Sequence, residues 1–148
     1  MKITSCRQAS RGGFTFLELI IVIAVIGIMS ALAISAFSNG ATDAREIVAR
    51  QQQAALQSAV NAWVCGQLTG DVTVAEVRAA YNAAAGSKAR LTLVQSYLDN
   101  VTYDHLSSES GATEEDQVLS AAARRLGWYL DLPTWDAGSY PKVDLVRS

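Results

Sequence analysis

The chain has 148 residues and a formal net charge of −2, enough for one modest domain plus a membrane segment but too short for two large cores. Its 12 Lys and Arg against 14 Asp and Glu exclude nucleic-acid binding through bulk charge, which depends on clustered cations. Two cysteines, Cys6 and Cys65, are too few for a thiolate-rich metal site.

The N-terminal stretch carries Lys2, Arg7 and Arg11, and no acidic residue precedes Glu18. From Phe14 to Phe37 follow 24 residues, FTFLELIIVIAVIGIMSALAISAF, in which Glu18 is the one ionisable group. As a helix rising about 1.5 Å per residue this run is about 36 Å long, and a bilayer core is about 30 Å thick. The cations before it and the mixed charges Asp43, Arg45 and Glu46 after it place the N-terminus in the cytoplasm and the C-terminal region across the membrane.

A secretory signal peptide also pairs a basic start with an apolar stretch, but its apolar region runs only about 7 to 15 residues. Glu18 argues against it further. A carboxylate inside a bilayer costs about 2.5 to 3.5 kcal/mol on insertion scales and marks a functional position.

The segment Gly12-Gly13-Phe14-Thr15-Phe16-Leu17-Glu18-Leu19-Ile20-Ile21-Val22-Ile23 resembles the N-terminal signal of the type IV pilin and type II secretion pseudopilin superfamily. The similarity continues through Ala24 to Ile34, with Gly27 at a helix-interior glycine position, and departs at Ser35, where a helix-kinking proline often stands. The resemblance implies that a prepilin peptidase cuts between Gly13 and Phe14 and that the new terminal Phe14 is N-methylated. It also implies that Glu18, fifth in the product, pairs with the terminal amine of a neighbouring subunit during assembly.

Glycine at the cut leaves no Cβ to obstruct a protease. Cleavage would remove three cations, taking the net charge from −2 to −5, and would leave Cys65 alone. We expect Cys65 to be a small buried apolar residue. The small residues Gly27, Ser30, Ala31 and Ala33 among Ile and Val suit close approach between membrane helices.

Beyond Asn39-Gly40, a softer break in the helix, Val48, Gln52, Ala55, Leu56, Ala59, Val60 and Trp63 recur at three- and four-residue spacing. They predict an amphipathic continuation to Gln67, a stem of about 80 Å in all, with this stripe against the head. Thr73-Val74-Ala75-Glu76 has the capping-box pattern of a helix running to about Ala85. A short helix is expected over 88–98, a strand at Val101-Thr102-Tyr103, and a polar loop over 107–111. Thr113 is the expected cap of a helix over 114–125 with acids at its start and Arg124-Arg125 at its end, stopped by Gly127. Trp128 to Leu132 and Val143 to Val146 alternate as strands around a turn containing Pro133, Gly138 and Pro141.

The expected fold is α+β: a long N-terminal α-helix, half transmembrane and half amphipathic, packed on a small helix-rich head with a short antiparallel sheet. Its parts are a leader over 1–13, a transmembrane and assembly helix over 14–37, the amphipathic continuation over 38–67 and the head over 68–148.

Other sites carry less. Asp131, Asp136 and Asp144 lie where some major pseudopilins hold calcium, but that ion takes six to eight convergent oxygens, and surface or turn roles are the default. His105, beside Asp104, has no positioned nucleophile or second partner and reads as a solvated loop residue. Trp128, Tyr129, Trp135 and Tyr140 read as core, with an exposed recognition patch as the alternative.

Functionally the sequence points to a non-enzymatic structural subunit, a pseudopilin or minor pilin. Its expected partners are a prepilin peptidase, other pilin or pseudopilin subunits and an inner-membrane assembly platform. It would be single-pass in the bacterial inner membrane with a periplasmic or extracellular head. The alternative is a membrane-tethered binding module whose C-terminal aromatic region grips a ligand or secreted partner.

Overall fold

The computed structural model describes residues 13–113 and 115–148, without the side chains of Ser35, Ala36 and Ser38. Lys2, Cys6, Arg7, Arg11 and Gly12 lie outside the described residues, as does Glu114. The fold is α+β, with α1 (Phe16–Gln67), α2 (Val74–Ala83), α3 (Ser87–Leu93), a 3₁₀ turn (Gln95–Tyr97), α4 (Asn100–Gly111), α5 (Ala121–Leu126), β1 (Trp128–Asp131) and β2 (Asp144–Arg147). Backbone contacts divide it into two compact units, Met1–Gly40 and Ala41–Ser148.

In the first unit the apolar face of α1 is exposed among the described residues. Large apolar side chains from Phe14 to Phe37 are exposed by 41% (Ile20) to 85% (Phe14), and nothing lies within 4 Å of where a Cβ on Gly27 would be. In water that surface would be costly at roughly 25 cal/mol per Å². Such a helix needs lipid or other helices around it. Helical backbone continues through Ser35 and Gly40.

The second unit closes around the later turns of α1, where Ala49, Leu56, Ala59, Val60, Trp63 and Val64 are buried. Val48 (42% exposed) and Ala55 are outside, so the buried stripe is rotated from the one expected. The head covers the Ala49, Leu56, Val60 and Val64 side, and the segment before β2 is bonded to Gln53 and Gln57. Val77 and Tyr81 of α2, Leu91, Val94, Leu106, Val118, Leu130, Leu132, Trp135 and Val143 complete one core cluster. An aromatic chain crosses it, from Trp63 to Tyr81 (6.0 Å between centroids), to Trp135 (6.3 Å), to Tyr140 (5.6 Å).

α2 starts at the expected capping box: Glu76 N–H donates to Thr73 Oγ1 at 3.3 Å while Thr73 N–H donates to Glu76 Oε2 at 2.8 Å. It ends at Ala83, two residues early. α3 has Gly86 as its cap residue, which offers no side chain. Asp116, distant in sequence, takes over, accepting from the amides of Ser87 (2.7 Å) and Lys88 (3.0 Å). The helix expected over 88–98 is split at Val94 into α3 and the 3₁₀ turn.

Three expectations fail between Asp99 and Arg125. Val101-Thr102-Tyr103 is helical, because Asp99 caps α4 by accepting from Thr102 N–H at 2.9 Å. Residues 107–111 are the last turns of that helix rather than a loop. There Ser110 is buried, donating to Leu106 O at 2.5 Å and accepting from Leu119 N–H at 2.8 Å. Thr113 starts no helix: Val118 and Leu130 exchange backbone hydrogen bonds at 3.2 and 2.8 Å, which holds the chain extended. Ser120 caps the shorter α5 instead, accepting from Ala123 N–H at 3.1 Å.

Gly127 ends α5 at φ +67°, the left-handed conformation that favours glycine. β1 and β2 then pair antiparallel with Trp128 opposite Arg147 and Asp131 opposite Asp144. Gln57 fastens the segment before β2 to α1. Its Nε2 donates to Pro141 O at 3.0 Å and its Oε1 accepts from Val143 N–H at 2.8 Å. Gln53 Nε2 adds a bond to Val143 O at 2.8 Å.

Candidate processing and assembly site

Gly13, Phe14 and Thr15 precede α1 without regular structure, and all three are exposed. The Gly13–Phe14 peptide therefore lies outside the helix, and a Cβ on Gly13 would meet nothing within 4 Å. A protease needs a backbone it can seat in extended form, and this junction has no helical hydrogen bonds to surrender.

Two residues on, the helix start is locked. Thr15 N–H and Thr15 Oγ1 each donate to Glu18 Oε2 at 3.1 Å, and Glu18 N–H donates back to Thr15 Oγ1 at 3.2 Å. These are the reciprocal bonds of a capping box, here Thr-x-x-Glu. Leu19 N–H donates to Thr15 O at 3.2 Å, closing the first helical turn. Glu18 thus has a local role as well as the assembly role the resemblance implies. Its carboxylate is held on Thr15, the residue that follows Phe14. The spacing Thr15-x-x-Glu18 is legible in the sequence by the same rule that finds Thr73-x-x-Glu76.

The remaining candidates sit elsewhere. Asp131 and Asp144 face each other across the sheet, and Asp131 Oδ1 accepts from Ser87 Oγ at 2.7 Å. Asp136 does not join them: among the described residues no group of three or more His, Cys, Asp or Glu is placed to hold a metal ion.

His105 is half-buried in α4 rather than in a solvated loop, and its Nε2 accepts from Ala121 N–H at 3.4 Å. Arg124 pairs with Glu109 at 3.1 Å. Cys65 is exposed, contrary to the expected burial, because Trp63 and Val64 occupy the face of α1 that the head covers. It lies beside Tyr140, whose hydroxyl pKa is pushed up first by burial and then by that thiol. Of the four aromatics, Trp135 is buried, Trp128 and Tyr129 are half-buried and Tyr140 is 46% exposed.

In comparisons with known proteins, the family model for the prokaryotic N-terminal methylation motif matches residues 8–34. No curated protein matches the chain, and no solved structure does. The matched stretch contains the Gly13–Phe14 junction, the Thr15–Glu18 box and most of the exposed apolar surface. Together with the single helix apolar and long enough to cross a membrane among the described residues, it fits an inner-membrane, single-pass anchor. The motif points to a structural subunit rather than an enzyme. The chain carries the prepilin-type N-terminal methylation signal of type IV pilins and pseudopilins.

Proposed function

We propose that the chain is the precursor of a pseudopilin or minor pilin, cut between Gly13 and Phe14 by a prepilin peptidase and methylated at Phe14. It is then assembled through α1 into a type II secretion pseudopilus or a type IV pilus-like filament. The observation that carries this reading is the methylation motif on a helix whose apolar surface is exposed among the described residues.

In that setting Glu18 and the terminal amine of a neighbouring subunit are both costly alone and attractive to each other, so register is fixed by pairing them. The inner-membrane assembly platform supplies the work of extraction, and the head lies on the periplasmic or extracellular side. The tethered-binding-module alternative has less support, because Trp135 is buried in the core.

The test is expression of the full chain beside a prepilin peptidase and a filament machinery. Mass measurement should find a product beginning at Phe14 with one added methyl group, and Gly13→Leu should leave the precursor uncut. A tag beyond Arg147, imaged on filaments, separates a shaft subunit from one confined to a point. A chain that stays uncut in wild-type form would overturn the reading.

A further inference from the structure

Leu130 spends its N–H and its C=O on Val118. Along an antiparallel strand both groups of a residue point to one side and alternate with those of its neighbours. Leu130 and Leu145, opposite each other, are therefore a non-hydrogen-bonded pair, and the backbone groups of Leu145 and Arg147 face away from β1. Val143 faces the same way and is satisfied by Gln53 and Gln57. Beyond Val143 that side-chain substitute for a strand stops. Leu145 and Arg147 present an open edge to a groove of about 310 Å³ lined also by Arg50, Gln53, Trp128 and Asp144.

The charge in this groove is uneven. Arg50 is paired with Glu46 at 2.6 Å, whereas the Arg147 guanidinium lies over Trp128, 5.6 Å from the ring centroid, with no carboxylate in ion-pair reach among the described residues. Asp144 lines the same groove three residues before Arg147 on β2.

At the other end of the head α1 stops at Gln67, about 25 Å along the helix from Arg50 at about 1.5 Å per residue. A tight turn follows, with Val72 N–H donating to Thr69 O at 3.5 Å and Gly70 at φ +66°. It presents Asp71 to solvent between Leu68 (39% exposed) and Val72 (43%).

We infer that the Thr69–Val72 turn of one copy of this chain docks into the β2-edge groove of the next, with Asp71 against Arg147 and the flanking apolar side chains on Trp128. The inference rests on the assembly reading and adds the contact between heads. The two patches differ and sit at opposite ends of the head, so each copy offers one of each. A head-to-tail contact of this kind propagates into an open helical array, whereas a self-complementary patch closes as a dimer.

The test uses the full chain, with the peptidase and filament machinery, in a Cys65→Ser background. Asp71→Cys combined with Arg147→Cys, treated with a short bismaleimide, should give a ladder of dimers, trimers and higher species, and neither single variant should. Asp71→Arg and Arg147→Asp should each lower filament yield about tenfold, and the double exchange should recover most of it. Filaments without a ladder, or a product that stops at dimers, would overturn this contact and leave the assembly reading standing. If no filaments form and Glu18→Gln behaves as wild type, the assembly reading fails and takes the contact with it.

Discussion

Thr15 and Glu18 hold each other at the start of α1, hydroxyl to carboxylate at 3.1 Å and amide to hydroxyl at 3.2 Å. The carboxylate in the apolar run is therefore already hydrogen-bonded before any neighbour arrives. This lowers the cost of carrying it in a bilayer, where an unsatisfied polar group is expensive.

Capping and charge are separable by substitution. Glu18→Gln keeps an acceptor for Thr15 and removes the charge; Glu18→Ala removes both. We expect both variants to be cut and inserted, and both to fail in filament incorporation. Glu18→Ala should additionally fray the first turn of α1, read as faster amide hydrogen exchange at Leu17 and at position 18. Normal filaments from Glu18→Gln would show that the cap, not the charge, is what assembly uses.

Gln57→Leu removes the two bonds of Gln57 to the segment before β2, keeps that of Gln53, and leaves Val143 N–H without its acceptor. An unsatisfied buried group costs about 1 to 3 kcal/mol, so the head should lose about 2 kcal/mol. Thermal melting of the detergent-solubilised chain followed by Trp fluorescence would report it, because Trp63 and Trp135 lie in the same core.

Gly86 and Asp116 should give a graded pair. Gly86 sits at φ +90°, and a Cβ there would clash with the Asp116 carboxylate. Gly86→Ala should destabilise the head by about 2 to 4 kcal/mol through strain and displacement of the cap. Asp116→Ala, which loses only the cap, should cost about 1 kcal/mol. Chemical denaturation of the two variants checks the order.

Tyr81 is fully buried and its hydroxyl has no hydrogen-bond partner among the described residues. Burial pushes its pKa up to about 12 from 10.0, against the opposing pull of Arg90. Arg90 lies 5.3 Å from the Tyr81 ring centroid. The folded state then holds a proton that the unfolded chain releases near pH 10, so this contribution is complete below pH 10. It is lost as pH rises towards 12, by about 2 to 3 kcal/mol at about 1.4 kcal/mol per unit. Tyr81→Phe should remove this alkaline step, and at neutral pH it should be neutral or slightly stabilising, because it deletes an unpaired polar atom.

The parts of the fold legible in the sequence were those set by local chemistry. Thr73 and Glu76 cap α2 as their spacing requires, Gly127 ends α5, and the alternation after Trp128 gives two strands. Where the local signal met a tertiary partner, the partner won. Val101 and Thr102 have strand-like side chains, yet Asp99 caps a helix over them. The acids after Thr113 suit a helix start, yet Asp116 is drawn to the amides of Ser87 and Lys88 and Val118 to Leu130. Glutamines 53 and 57 gave no hint of their role, because an exposed-looking polar residue on a helix does not announce a carbonyl 84 to 90 residues away. At the candidate site, the expected residues Gly13, Phe14 and Glu18 stand out by their spacing against the apolar run, and the Thr-x-x-Glu spacing adds the Thr15 hydroxyl, which bonds Glu18 in the structure.

That same long reach sets an order of events in time. The ribosome makes Gln53 some 90 residues before Val143, an interval of about 5 to 18 s at about 5–20 residues per second. Through it the face of α1 bearing Leu56, Val60 and Trp63 has only a growing part of its lid, and Val143 comes last. A cell that makes this protein must therefore shield a sticky nascent stem for seconds before the strand that seals it exists, and that wait is a point where chaperones and proteases compete for the chain.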